Sequence, residues 1–252
     1  MSFARPEDSH AHSLQTLNLL YEYDDFMISV GTMIDLGCGS GLDVEWWATR
    51  TTRDDPPEPL RIRCMAVDHG SRPSTADRTP GITFQQIDFE TSIQTFKKTG
   101  FDMLWCHDSF QYAIDPLGTL AKWRNIANDN AMLAIIVPQS TNLQHKALDF
   151  SQTNGCYYHH TLVSLIHMLA VNGWDCRDGF FLKKPDDPWL HAIVYKSQHK
   201  PLDVRTTTWY DLAERDLLPE SAVAGINRHG FLRQEDLVLP WLDKNLRSYS
   251  KH

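Results

Sequence analysis

The chain has 252 residues, 42% hydrophobic and 11% aromatic, with 24 Lys and Arg against 32 Asp and Glu, a formal net charge of −8. That length allows one large domain with a sizeable core, and no apolar run approaches the roughly 18 residues that span a membrane. The acidic balance, with no basic cluster longer than Lys97-Lys98 or Lys183-Lys184, speaks against nucleic acid as a partner.

Residues 1–12 are polar, lack a signal-peptide core and read as mobile, His10 and His12 included. From Ser13 to about Phe26, Leu14, Leu17, Leu20 and Tyr21 form a helical stripe; Asp24 and Asp25 read as solvated. Thr32 to Leu36 is a short buried strand that runs into Gly37-Cys38-Gly39-Ser40-Gly41. Glycines at a strand-to-helix turn let the backbone bend tightly and approach a ligand. Ser40 with Asp43 three residues later is capping-box-like, giving a helix from about Gly41 to Arg50. A dinucleotide fingerprint, G-x-G-x-x-G, would need glycine at 42 or 44, where Leu42 and Val44 stand. Nicotinamide chemistry is therefore disfavoured.

The proline-broken loop Arg53 to Pro59 leads to a second strand, Arg61 to Val67, which closes at Asp68. Residues 70–81 are rich in turn formers, so any helix there is short or irregular. Ile82 to Ile87 is a third strand, followed by Asp88-Phe89, and Phe101 to Asp108 a fourth. Asp115-Pro116 gives an N-cap and N1 proline for a helix ended by Asn128-Asp129-Asn130, where asparagine tolerates the left-handed conformation. Ala131 to Val137 is a strand covered on both faces. Thr161 caps a helix carrying Leu162, Leu165, Ile166 and Leu169, stopped by Gly173. Trp174 to Leu182 and Leu190 to Lys196 are two further strands.

The run Met33 to Gly41, D-x-G-x-G-x-G after a strand, resembles motif I of the class I S-adenosylmethionine (SAM)-dependent methyltransferases. The resemblance extends over about residues 14–198. It implies an α/β fold: a Rossmann-like, seven-stranded, mostly parallel sheet with an antiparallel last strand and an N-terminal cap helix. It also implies SAM as cofactor, with Asp35, Gly37, Cys38, Gly39 and Gly41 in the loop around it. Asp68 would accept the two ribose hydroxyls, as a carboxylate can, with helix capping as the competing role. His69 would contact the adenosine or face solvent. Asp88 would bind the adenine amino group or cap a helix, with Phe89 beside the ring. Cys106 and Tyr112 would complete the site; relatives often carry His near the position of Tyr112, which leaves the base open. Cys38 and Cys106 read as small packing residues rather than nucleophiles. Tyr21 and Tyr23 either touch the cofactor or pack on the sheet.

Methyl transfer is an in-line displacement that first requires placement of the nucleophile. Candidate bases for a hydroxyl or protonated amine are His107, His159 and His160. His107 could instead hold the loop or contact the cofactor, and His159-His160 could simply be a loop preceding the Thr161 cap. No metal-ligand spacing stands out, and a metal is not expected. The five cysteines, at 38, 64, 106, 156 and 176 without C-x-x-C spacing, read as reduced thiols of a cytoplasmic protein.

The expected organisation is a methyltransferase domain over 1–198 and an α-rich C-terminal extension over 199–252. The expected activity is methyl transfer to a small-molecule or glycan-like acceptor. The alternative is a catalytically inactive SAM-binding regulatory or assembly protein. The extension carries Trp209, Phe231 and Trp241, too apolar for a free tail; it either folds back on its own domain or covers the same surface of a second copy, and a homodimer through 205–248 is expected.

Overall fold

Seven strands form one sheet: β1 (Thr32–Leu36), β2 (Arg63–Asp68), β3 (Ile82–Gln86), β4 (Phe101–His107), β5 (Ala127–Pro138), β6 (Trp174–Lys183) and β7 (Trp189–Lys196). Their order is β3-β2-β1-β4-β5-β7-β6. Neighbours from β3 to β5 pair in parallel, and β7 is antiparallel to both β5 and β6. The reversal follows from the short link between β6 and β7, since parallel neighbours need a long crossover. This computed structural model describes residues 7–22, 30–52, 56–70, 72–91, 93–96, 100–140, 157–183 and 188–241. The readings made for Tyr23, Asp24, Asp25, Cys156 and residues 242–248 lie outside them.

Strand β1 is buried along its whole length, as its apolar run requires. Its alternate side chains feed two cores. Met33 joins Leu17, Leu20, Val44, Trp47, Trp105 and Trp189 on one face. Here helices α1 (Glu7–Glu22) and α2 (Leu42–Ala48) cover the sheet. Ile34 and Leu36 join Leu104, Trp123, Leu165 and Trp174 on the other. That face is covered by α4 (Pro116–Ile126) and α5 (Leu162–Val171), while α3 (Ser74–Arg78) is a five-residue helix in the turn-rich segment.

The caps expected for two helices are present. Asp115 accepts from the Gly118 amide, and Thr161 forms a capping box with Ser164. Asn130 takes the left-handed conformation at φ 61°, although the chain enters β5 directly at Ala127 rather than through a separate turn.

Two local expectations are corrected. Helix α1 begins at Glu7, so His10 and His12 lie in a helix rather than a mobile tail. The cause is polar anchoring: His10 and Ser13 bond to Asp43, and Thr16 bonds to His191. Helix α2 is not capped by Ser40 and Asp43. Its N-cap is Gly41 at φ 76° with no side-chain cap, and Asp43 turns into the interior.

The extension folds onto its own chain as α6 (Trp209–Glu214) and α7 (Glu220–His229). Leu212, Leu217, Leu218, Ala222 and Ile226 enter the same core as β6. The Cys176 and Phe181 amides of β6, the outermost strand, donate to the Leu217 and Pro240 carbonyls. An open strand edge is a template for unwanted pairing, and the extension covers this one. Trp209 packs on His167 and Trp241 on His191, so these two tryptophans have places within the chain, whereas Phe231 is exposed.

Candidate active site

The strand order reverses between β1 and β4, which places a ligand crevice beyond the carboxyl ends of those strands. The loop after β1 is folded by its backbone. Gly37 and Cys38 amides both donate to the Val67 carbonyl at 2.9 Å, and Gly37, Gly39 and Gly41 sit at φ 76°, 52° and 76°. A Cβ on Gly37 would strike the Ser109 hydroxyl, and one on Gly41 the Thr75 hydroxyl. Only glycine fits at both places.

Asp68 ends β2 against this loop. Its Oδ2 accepts the Gly39 amide at 2.9 Å and its Oδ1 the Gly70 amide at 2.7 Å. A carboxylate has about four acceptor positions, so two such bonds fix Asp68 and leave capacity for a ligand. His69 is largely exposed beside it, Nδ1 lying 3.4 Å from Asp68 Oδ1.

After β3, Asp88 Oδ1 accepts the Glu90 and Thr91 amides at 2.6 and 3.1 Å. It therefore holds its own turn, with Oδ2 outside those two bonds. Phe89 packs edge-on to Trp123 and lies 3.5 Å from the point where a Gly37 Cβ would be, hence directly against the glycine loop. Buried Glu90 accepts the Ile114 and Asp115 amides at 2.9 and 2.6 Å, tying the segment after β3 to the segment after β4.

The end of β4 closes the crevice. Ser109 Oγ reaches the Gly37 carbonyl at 2.9 Å and the His107 carbonyl at 3.0 Å. Asp108 is held at φ 51°, a conformation uncommon for a residue with a Cβ, and its Oδ1 accepts from Gln111 Nε2 at 2.6 Å. Tyr112 is half-buried in the turn that follows, its amide donating to the Ser109 carbonyl.

The structure thus brings together Gly37, Gly39, Gly41, Asp68, His69, Asp88, Phe89 and Tyr112. It places Asp35 and Cys38 wholly inside the protein and packs Cys106 in the core on the opposite sheet face from Trp105. Tyr21 donates to the Thr51 carbonyl and meets Trp46 edge-on, at the far end of α2 from the loop.

The three histidines differ. His107 is 0% exposed, with Nδ1 3.0 Å from Asp43 Oδ2. His160 is 3% exposed, and its ring stacks with Phe110 and with Tyr158. Burial, with His159 beside it, pushes its pKa down to about 4, so it is neutral at pH 7 rather than poised near it. His159 is half-buried.

Asp43, Glu90, Ser109 and Asp108 were missed as site residues. Asp43 had a readable signal. It stands three and four residues before Trp46 and Trp47, so it shares their inward helix face, and a carboxylate there must find donors. Among the described residues no group of three or more His, Cys, Asp or Glu is arranged to hold a metal.

Residues 34–135 match the family profile described as methyltransferase domain. No curated protein matches the chain. Among solved structures, it resembles the Burkholderia thailandensis 1,6-didemethyltoxoflavin-N1-methyltransferase, determined with 1,6-didemethyltoxoflavin and S-adenosylhomocysteine. The TM-score is 0.52 at 15% identity, over 72% of this chain and 77% of that one. It also resembles an O-methyltransferase family protein from Burkholderia thailandensis, with TM-score 0.55 at 14% identity over 75% and 57% of the two chains. The CurJ carbon methyltransferase gives 0.51 at 11% identity over 68% and 50%. At these identities the likeness is one of fold.

Proposed function

From the premise that residues 34–135 are a methyltransferase domain on a class I sheet, we propose that this chain transfers a methyl group from S-adenosylmethionine to a small-molecule or glycan-like acceptor. The observation that carries the reading is the Asp68 carboxylate at the end of β2, locked against the Gly39 amide of the loop that leaves β1 at the switch point of the sheet. The residues fit the cofactor. Asp68 has acceptor positions for a ribose diol, Phe89 gives an apolar surface at the loop, and Asp88 keeps a carboxylate oxygen beyond its own turn.

When bound, the sulfonium supplies an electrophilic methyl group. The chain's part is placement, which for an in-line displacement is the first requirement. The glycine loop and Asp68 fix the cofactor end. Asp108 to Asp115, held through Ser109 to the Gly37 carbonyl and through the Ile114 and Asp115 amides to Glu90, form the wall on the β4 side, where the acceptor would enter.

The acidic charge of −8 supports a small or glycan-like acceptor rather than nucleic acid. Structures of the same fold are named for methylation at nitrogen, oxygen and carbon, so the acceptor atom is a matter for experiment. Among the described residues four cysteines are free and buried, consistent with a reducing, cytoplasm-like setting, and no helix is long and apolar enough to cross a membrane.

A second reading, SAM binding without catalysis in a regulatory or assembly role, is favoured by the burial of His107 and His160. Incubation with isotopically labelled methyl-SAM and a metabolite extract separates the two. Release of S-adenosylhomocysteine with a labelled product supports transfer, and cofactor binding without release supports the second reading.

A further inference from the structure

The Asp43 carboxylate is sealed from solvent on the first turn of α2, two residues beyond the last glycine of the loop. Its Oδ1 accepts from His10 Nδ1 at 2.6 Å and Ser13 Oγ at 2.7 Å, both on α1. Its Oδ2 accepts from Trp105 Nε1 at 2.9 Å and His107 Nδ1 at 3.0 Å, both on β4. An ionised carboxylate only accepts, so both imidazoles present a proton at Nδ1. Burying a carboxylate costs several kcal/mol unless charge-assisted bonds offset it, and these four donors do so.

Each oxygen serves one element, with the glycine-loop helix between them. Trp189 extends the bracket to β7, its ring 5.3 Å from His12 and 5.7 Å from His107. Both arms end close to the loop contacts. On one side, Asp43 follows Gly41 by two residues, so a shift of α2 moves the Gly39 amide relative to Asp68. On the other, His107 precedes Ser109 by two residues, and Ser109 holds the Gly37 carbonyl. An apolar helix contact tolerates sliding, whereas directed bonds to one carboxylate set a register.

We propose that Asp43 is a positioning residue for cofactor binding. It couples docking of the first half of α1 to the shape of the glycine loop, so that each strengthens the other. The inference rests on the reading of that loop as the SAM site. Linkage makes the coupling reciprocal, and this separates it from a bracket that only stabilises the fold.

The test uses the full chain and S-adenosylhomocysteine, with amide hydrogen exchange and calorimetry on the wild type and on a His10→Ala/Ser13→Ala double variant. In the wild type, the ligand should slow exchange over residues 8–16. In the double variant the affinity should fall roughly tenfold and the exchange response in that segment should vanish. A double variant that binds as tightly as wild type overturns the proposal. So does a wild type whose α1 exchange ignores the ligand, a measurement that decides even if the variant does not fold. A wild type that binds no ligand at all removes the reading of the loop and this inference with it. Binding with a silent α1 removes the inference alone.

Discussion

The Asp68 carboxylate accepts the Gly39 amide at 2.9 Å, so the end of β2 and the glycine loop after β1 behave as one piece. The bond orients the carboxylate before any ligand arrives, and preorganisation of this kind lowers the ordering cost of binding.

Replacing Asp68 by Ala removes both that bond and the diol acceptor. We expect SAM affinity to fall by about 1.5–3 kcal/mol, the range for hydrogen bonds to a charged group, with the circular dichroism spectrum unchanged. Calorimetry giving wild-type affinity would take the ribose role away from Asp68.

Gly37→Val places a branched side chain against the Ser109 hydroxyl and Phe89, at a φ of 76°. Both strain and collision follow. Cofactor binding should be abolished and the melting temperature lowered. A variant that binds normally would mean that the loop has room it does not show.

His160, with its pKa pushed down to about 4 by burial and by His159, makes two expectations. It should not produce a rate limb between pH 6 and 7, so kcat/KM profiles of wild type and His160→Phe should share their shape there. It also makes stability depend on pH. The unfolded chain takes up the proton near the ordinary histidine pKa while the folded chain does not, so stability falls as pH drops from about 6.5 toward 4, by at most roughly 3 kcal/mol. Urea unfolding at several pH values should show this slope in the wild type and a shallower one in His160→Phe. Equal slopes would contradict it.

Asp102 joins β4 to β1 and β5. Its Oδ2 accepts from the Gly31 and Thr32 amides and the Thr32 hydroxyl, and its Oδ1 from Asn128. Burial pulls its pKa up, but these bonds outweigh burial and leave it below the usual carboxylate value. The stabilisation is therefore full above the ordinary carboxylate pKa and lost as pH falls through the depressed one. Asp102→Ala should cost about 1–3 kcal/mol at pH 7, read by urea unfolding, and an unchanged midpoint would reject the clamp.

Truncation after Lys200 uncovers the outer edge of β6 and the core around Leu217 and Ile226. The shortened chain should aggregate or fail to express in soluble form. A soluble monomer that binds SAM would show the extension to be dispensable to the sheet.

The glycine loop, Asp68 and the strand sequence could be read from the chain because they rest on local backbone needs. Left-handed turns demand Gly37, Gly39 and Gly41, and apolar runs such as Ala131 to Val137 demand burial. Asp43 was misread as a cap because its donors come from 33 and 64 residues away in sequence. Which role the candidate histidines play was out of reach of the sequence for a related reason. A residue type states what chemistry is possible, whereas burial of His107 against Asp43 and Trp189 and stacking of His160 on Phe110 are set by tertiary packing. That the extension must dock was legible in its apolar residues, but not which strand edge it covers, since backbone pairing leaves no mark on side-chain pattern.

Methyl transfer from S-adenosylmethionine can be followed with a labelled methyl group. Purified full-length protein is incubated with methyl-labelled SAM and a fractionated metabolite extract, and the products are read by mass spectrometry. We expect S-adenosylhomocysteine together with a small molecule that has gained the labelled methyl, both lost in Asp68→Ala. Wild-type protein that binds SAM yet forms neither product in any fraction would contradict it.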